Sequence, residues 1–182
     1  MTKFTFFAQM EPGDRKGVVV SFPDVPEAVT EGRDEADARM MAEEALGLAL
    51  LTYPLRGLPL PEARAGGKKL VAISPAPDVA AKLAVLDAVR AAGMTKADFA
   101  RLIGKDEREA RRILDPRHPT KLPTLVGTLA LLGKRLVVAV EDAPRLKFSG
   151  RIIAGRSIVG QGFARPIRRT RATSALENRR AR

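Results

Sequence analysis

The chain has 182 residues, enough for one ordinary domain or two small ones. It contains no cysteine, which excludes a disulfide scaffold and any thiolate metal site and makes the cytoplasm the expected compartment. The net charge of +11 is uneven: residues 1–72 carry nine basic against eleven acidic side chains, residues 73–150 fourteen against nine, and residues 151–182 nine against one, so anion binding is expected in the second half.

Met1 to Met10 holds one lysine and a short Phe-rich stretch with no small-residue cleavage pattern, and apolar runs such as Leu46–Leu51 are far too short to span a bilayer. A soluble protein without a membrane partner is expected. Phe4 and Phe6 alternate with Thr5, Glu11-Pro12-Gly13-Asp14 forms a turn, and Val18–Phe22 is a β-branched run ended by Pro23, which together predict a hairpin. Ala28-Val29-Thr30 predicts a short third strand before Gly32. Asp34 can cap a helix with Asp37 as capping-box partner, Met41, Ala45 and Leu48 repeat on one apolar face, and Pro54 stops the helix. The stretch Thr52–Lys69 has three prolines and three glycines and reads as a loop, followed by a last strand at Leu70–Ile73.

These elements predict an α+β chain: a β-β-β-α-β domain over residues 1–74, a linker over 75–78 stiffened by Pro75 and Pro77, and an all-α domain over 79–143. Asp78 is placed to cap its first helix, Val79–Ala92. The rest, residues 144–182, is Arg-rich with no helical or strand period and is expected to be a disordered basic tail.

Gly93 ends that helix, and Met94–Phe99 carries two local helix-start signals. Thr95 and Asp98 make a capping box, and Met94 and Phe99 occupy the positions of a hydrophobic staple. Gly104 suits a left-handed turn, and Asp106 with Glu109 predicts a second capping box. On a helical wheel for Asp106–Asp115, Ala110, Ile113 and Leu114 share one face and Arg108, Arg111 and Arg112 share the opposite one. This is the pattern of a helix-turn-helix whose second helix enters the major groove, where arginines contact phosphates or guanine edges. Three arginines alone favour a solvated face with an i, i+4 charge pair, a reading that Glu107 and Glu109 support, but the two caps and the turn glycine reverse that preference toward DNA. Candidate DNA contacts are Thr95, Lys96, Lys105, Glu107, Arg108, Arg111, Arg112 and Lys121. Leu122, Leu125, Val126, Leu129 and Leu132 predict a further core helix ending near Gly133. Leu136–Val140 is strand-like, either pairing across a dimer or covering the bundle.

Two segments carry a family resemblance. Gly17-Val-Val-Val-Ser-Phe-Pro-Asp-Val-Pro, then Thr30-Glu-Gly-Arg-Asp-Glu-Ala leading to Glu43-Glu-Ala-Leu, resembles the HicB antitoxins. Leu114-Asp-Pro-Arg-His-Pro-Thr-Lys-Leu, then Ala130-Leu-Leu-Gly-Lys-Arg-Leu, is similar to the segment after the helix-turn-helix in one HicB subtype. The resemblance implies a partial RNase H-like N-terminal domain that covers a small RNA-cleaving toxin, HicA. It also implies a lambda-repressor-like (XRE-like) helix-turn-helix domain that represses the operon encoding both, as a homodimer or higher homo-oligomer. Glu27-Ala28 departs from the family's usual Gly-Cys, and Lys105-Asp106 from its usual aliphatic residue followed by Ser or Thr.

True RNase H-fold nucleases hold metal ions with several carboxylates. Asp24, Glu27, Glu31, Asp34 and Glu35 gather instead at a strand end and a helix cap, and no Asp stands within Val18–Phe22, so neither catalysis, nor a metal, nor another cofactor is expected. His118, the only histidine, cannot form a dyad with a second. An acidic front suits a basic, RNA-gripping toxin, and Phe22, Asp24 and Glu27 are the candidate toxin contacts, Phe22 the one most suited to the core. The competing reading is a free-standing regulator whose N-terminal domain dimerises or senses a ligand. RNA binding by the tail is disfavoured, since Phe163 is its only ring.

Overall fold

The computed structural model describes residues 4–140 except 15, 65 and 68, so the basic tail lies outside the described residues. The described part is a mixed α and β chain with one four-stranded antiparallel sheet and five helices, in the order β1 (Phe6–Pro12), β2 (Val18–Ser21), β3 (Val29–Gly32), α1 (Glu35–Leu55), β4 (Leu70–Ile73), α2 (Pro77–Ala91), α3 (Lys96–Ile103), α4 (Glu107–Leu114) and α5 (Leu122–Leu131).

The strands lie in the order β3-β2-β1-β4. Pairing Met10 with Val20, Val20 with Thr30 and Phe6 with Ile73 sets the register. Because side chains alternate along a strand, this register sends Phe6, Ala8, Val20 and Ile73 into a shared core. The first strand starts later than Phe4 and runs on to Pro12, where the missing N–H of proline ends the ladder. After β2, Phe22, Val25 and Ala28 are buried at every third position by two successive turns, Val25 N–H to Phe22 O and Ala28 N–H to Val25 O. Of the intervening acids Glu27 is exposed, whereas the Asp24 side chain is only 9% exposed.

Helix α1 covers the sheet with Ala38, Ala42, Leu46, Ala49 and Leu50. The apolar face of Met41, Ala45 and Leu48 points the other way, and Met41 and Leu48 are exposed. Small side chains win the inner face because the helix lies close to the sheet: a Cβ at Gly32 would overlap the backbone of Ala38. Asp34 caps α1 by accepting from Asp37 N–H, but Asp37 returns its carboxylate to the backbone and guanidinium of Arg33, so the reciprocal bond falls one residue outside the cap. Pro54 lies in the final turn and the helix ends at Leu55.

Helix α2 begins at Pro77, inside the stretch expected as a linker. Ala76 is its N-cap and Asp78 lies in the first turn, because proline at N1 already removes one of the N–H groups a capping side chain would serve. The helix feeds two hydrophobic clusters. Leu83 joins the sheet and α1, whereas Ala81, Val85 and Val89 pack with Phe99, Ala100, Ala110, Ile113, Leu125 and Leu129 of α3, α4 and α5. In α5 the buried residues are Leu125, Thr128 and Leu129, and Val126 is exposed, one step of about 100° away from Leu125. Residues 134–140 form no strand; Leu136 packs on the second cluster, and Val137, Val138 and Val140 are exposed.

Candidate functional site

The caps fix how α3 and α4 meet. Thr95 Oγ1 accepts from Asp98 N–H at 3.1 Å while Asp98 Oδ2 accepts from Thr95 N–H at 3.2 Å and from the Thr95 hydroxyl at 2.6 Å, a complete capping box. These bonds hold the Asp98 carboxyl below its ordinary pKa, the Thr95 hydroxyl bond being the largest cause. Met94 and Phe99 pack in the same cluster, as a staple requires. Gly104 closes α3 in the left-handed region at φ 64°. Asp106 then caps α4 through Glu109 N–H at 2.7 Å, but the reciprocal half is missing because Glu109 faces Arg112 at 3.9 Å.

Ala110 and Ile113 seat α4 on the core, with Leu114 partly buried beside them. The opposite side is a shallow depression of about 470 Å³ lined by Glu107, Arg108, Arg111, Arg112 and Asp115. Arg111 pairs with Glu107 at 3.1 Å. Arg108 has no ion-pair partner among the described residues. The expected residues Lys96, Lys105, Glu107, Arg108, Arg111, Arg112 and Lys121 are all exposed, whereas Thr95, also exposed, has its hydroxyl committed to the cap. The arrangement offers an anion three guanidiniums on a rigid helix, those of Arg111 and Arg112 tempered by an acid one turn away and that of Arg108 by none among the described residues.

Behind this face lies a residue that the pattern of motifs does not single out. Lys82 of α2 is 5% exposed and its Nζ donates to Arg112 O at 3.4 Å, His118 O at 3.2 Å and Thr120 Oγ1 at 2.9 Å. Burial pushes its pKa down to about 8, against the opposing charge of Asp115. The available signal was a lone lysine inside Val79-Ala-Ala-Lys-Leu-Ala-Val85, where every neighbour is apolar.

The residues singled out in the first half are occupied differently. Phe22 is 1% exposed and belongs to the core, so it cannot serve as a contact. The Asp24 carboxylate accepts from Arg64 N–H at 2.9 Å and pairs with the Arg64 guanidinium at 3.4 Å, which ties the 56–69 loop to the turn after β2. Glu27 accepts from the Tyr53 hydroxyl at 3.0 Å; burial first, and this carboxylate second, raise the tyrosine pKa. Among the described residues no three His, Asp or Glu side chains are placed to hold a metal ion, and no helix is long and apolar enough to cross a membrane.

The chain is 37% identical over 125 residues to antitoxin HicB 2 of Photorhabdus laumondii, an alignment covering 68% of this chain and 87% of that protein. The chain belongs to the HicB antitoxin family. Antitoxin HicB of Escherichia coli K12 is 32% identical over 129 residues, covering 70% of this chain and 92% of its own length. The HicB antitoxin of Pseudomonas fluorescens matches at 28% over 144 residues, 79% of this chain and 97% of its own. No family model matches the chain.

Proposed function

We propose that this HicB-family chain is a non-catalytic antitoxin with two roles: residues 1–74, a partial RNase H-like unit, bind and neutralise a small HicA-like mRNA-cleaving toxin, and residues 79–143, a helix-turn-helix unit, repress the operon encoding both. Family membership supports the antitoxin role. The DNA-binding role rests on one observation, the outward Arg108, Arg111 and Arg112 on a capped helix held to the core by Ala110 and Ile113. Three arginines with Glu107 and Glu109 beside them bind weakly alone, so the chain acts as a homodimer or higher homo-oligomer on a palindromic operator with half-sites about one helical turn, or a multiple of it, apart. The exposed Glu27 contributes acidic surface toward the toxin, whereas Asp24, the other acid expected there, is held against Arg64 with its side chain 9% exposed.

Co-expression with the small protein encoded beside it tests the antitoxin role, with relief of growth arrest and a stable purified complex as the expected result. Absence of a complex, with operator binding intact, would leave a free-standing regulator. If the chain is also a repressor, the purified protein should bind its own promoter more tightly than a scrambled duplex. Removing residues 150–182 should flatten the salt dependence without changing that preference, because nine arginines opposed by one acid attract any phosphate backbone.

A further inference from the structure

The outer side of α1 is apolar and uncovered. Met40 and Leu48 are 56% and 62% exposed, and the stripe continues through the exposed Leu55 to Leu58. Between α1 and the first turn of α2 runs a groove of about 290 Å³, lined by Met40, Gly47, Leu48, Leu51 and Val79 together with Glu43 and Glu44, the latter one turn from both Met40 and Leu48. Neither glutamate has an ion-pair partner among the described residues. Apolar surface of this extent on a folded chain marks an interface. The charges select its occupant: in a two-fold contact centred here, Glu43 and Glu44 of one copy would approach the same residues of the other, whereas a basic partner neutralises them.

We propose that this face of α1 is the toxin-docking surface, with Met40, Leu48 and Leu51 receiving an apolar patch of the toxin and Glu43 and Glu44 its lysines or arginines. The inference rests on the antitoxin reading. Titration of the chain with the purified HicA-type protein encoded beside it, by calorimetry, tests both. Leu48→Asp should weaken binding at least tenfold, and the Glu43→Lys/Glu44→Lys double change should weaken it with a reduced salt dependence; both sites are exposed, so the melting temperature serves as the folding control. Binding unchanged in both variants overturns the surface while leaving the antitoxin reading standing. A variant that becomes monomeric yet binds toxin normally assigns the face to a second copy. Failure of the unaltered chain to bind the toxin overturns both.

An independent observation concerns the buried ammonium of Lys82. Its three acceptors come from the last turn of α4 and from the loop between α4 and α5, so one side chain fastens that loop and the arginine helix to α2. The loop carries the exposed Arg117 and leads to Lys121, and its shape is further set by Asp115, whose carboxylate accepts from Arg117 N–H at 2.9 Å. We infer that Lys82 is a positioning residue for DNA, holding Arg117 and Lys121 in register with Arg108, Arg111 and Arg112 so that the loop adds phosphate contacts to those of α4. This rests on the helix-turn-helix reading.

Lys82→Met keeps the stem and removes the donors. Below its melting temperature it should bind the promoter duplex about tenfold more weakly, and the slope of log affinity against log salt should drop by roughly 2, at about 0.9 for each phosphate no longer neutralised. Arg117→Ala with Lys121→Ala should produce the same slope change in the unaltered chain and no further change in the Lys82→Met background. A variant that melts lower but keeps the original affinity and slope per active molecule would reduce Lys82 to a structural role. An unaltered chain that binds no promoter DNA removes the premise as well.

Discussion

The two halves of this chain handle charge in opposite ways. Around the sheet, acids are engaged in bonds that hold the chain together: Asp24 grips Arg64, Glu27 takes the Tyr53 hydroxyl, and Asp37 is bound by the backbone and guanidinium of Arg33. What the sheet half leaves outside on α1 is a stripe of methionine and leucine beside Glu43 and Glu44. Around α3 to α5 the reverse holds, since a lysine is drawn inward and arginines are left outside, Arg111 and Arg112 paired to acids one turn along the same helix and Arg108 to none among the described residues. A surface of methionine and leucine interspersed with glutamate suits a protein partner, and a surface of guanidiniums suits phosphate. On the proposed function, the difference gives each half its own partner.

Helix α2 limits how separate the halves are, and the largest predicted effect tests it. Leu46→Ala in the first cluster and Leu125→Ala in the second should each cost about 2–5 kcal/mol, from reduced burial plus the cavity left behind. Because Leu83 and Val85, two residues apart on α2, belong to different clusters, Leu46→Ala should also lower amide-exchange protection in α3 to α5. Protection unchanged there would mean that the halves unfold independently.

Gly104→Ala should cost about 1 kcal/mol, because a side chain at φ 64° is strained in the left-handed region. A lower melting temperature is expected, together with weaker operator binding and unaltered toxin binding. Loss of toxin binding as well would contradict the division of labour.

The smallest effects are those of pH: stability rises with pH in both halves, but across the acid range at Asp37 and across the alkaline range at Lys82. Asp37 is held at about 2 instead of 3.8, chiefly by the Arg33 side chain, so its stabilisation is present above pH 3.8 and is lost as pH falls toward 2. Lys82 is lowered from 10.5 to about 8. Below pH 8 both folded and unfolded chains carry its charge and the burial cost is fully felt; between about 8 and 10.5 only the unfolded chain keeps the proton, so stability rises with pH. Urea midpoints at pH 7 and 9.5 should rise for the unaltered chain relative to Lys82→Met. A parallel response in the two proteins would contradict the assignment.

The parts of this fold that were legible in the sequence are those decided locally. The cap at Asp34, the full box of Thr95 and Asp98, the left-handed Gly104 and the inward Ala110 and Ile113 each depend on residues within one or two turns. The misread parts depend on distant surfaces. Two apolar stripes run along α1, and only the close approach at Gly32 makes the alanine stripe the inner one. Val126 matched the periodicity but falls beyond the edge of the α2–α5 contact, and Leu136–Val140 matched a strand but finds no partner strand among the described residues. Phe22 lay in a motif and proved to be core; Lys82 lay in an apolar run and proved to be the hub behind the arginine face.

The central claim, that α4 reads DNA, is tested most directly by fluorescence anisotropy of the purified chain on its own promoter and on a scrambled duplex, with Arg111→Ala and Arg112→Ala compared at one fixed salt concentration. At least one substitution should weaken promoter binding by about 1–3 kcal/mol while changing scrambled-duplex binding far less, with melting temperatures unchanged. Equal affinity of the unaltered chain for both duplexes, or promoter affinity untouched by either substitution, would contradict it.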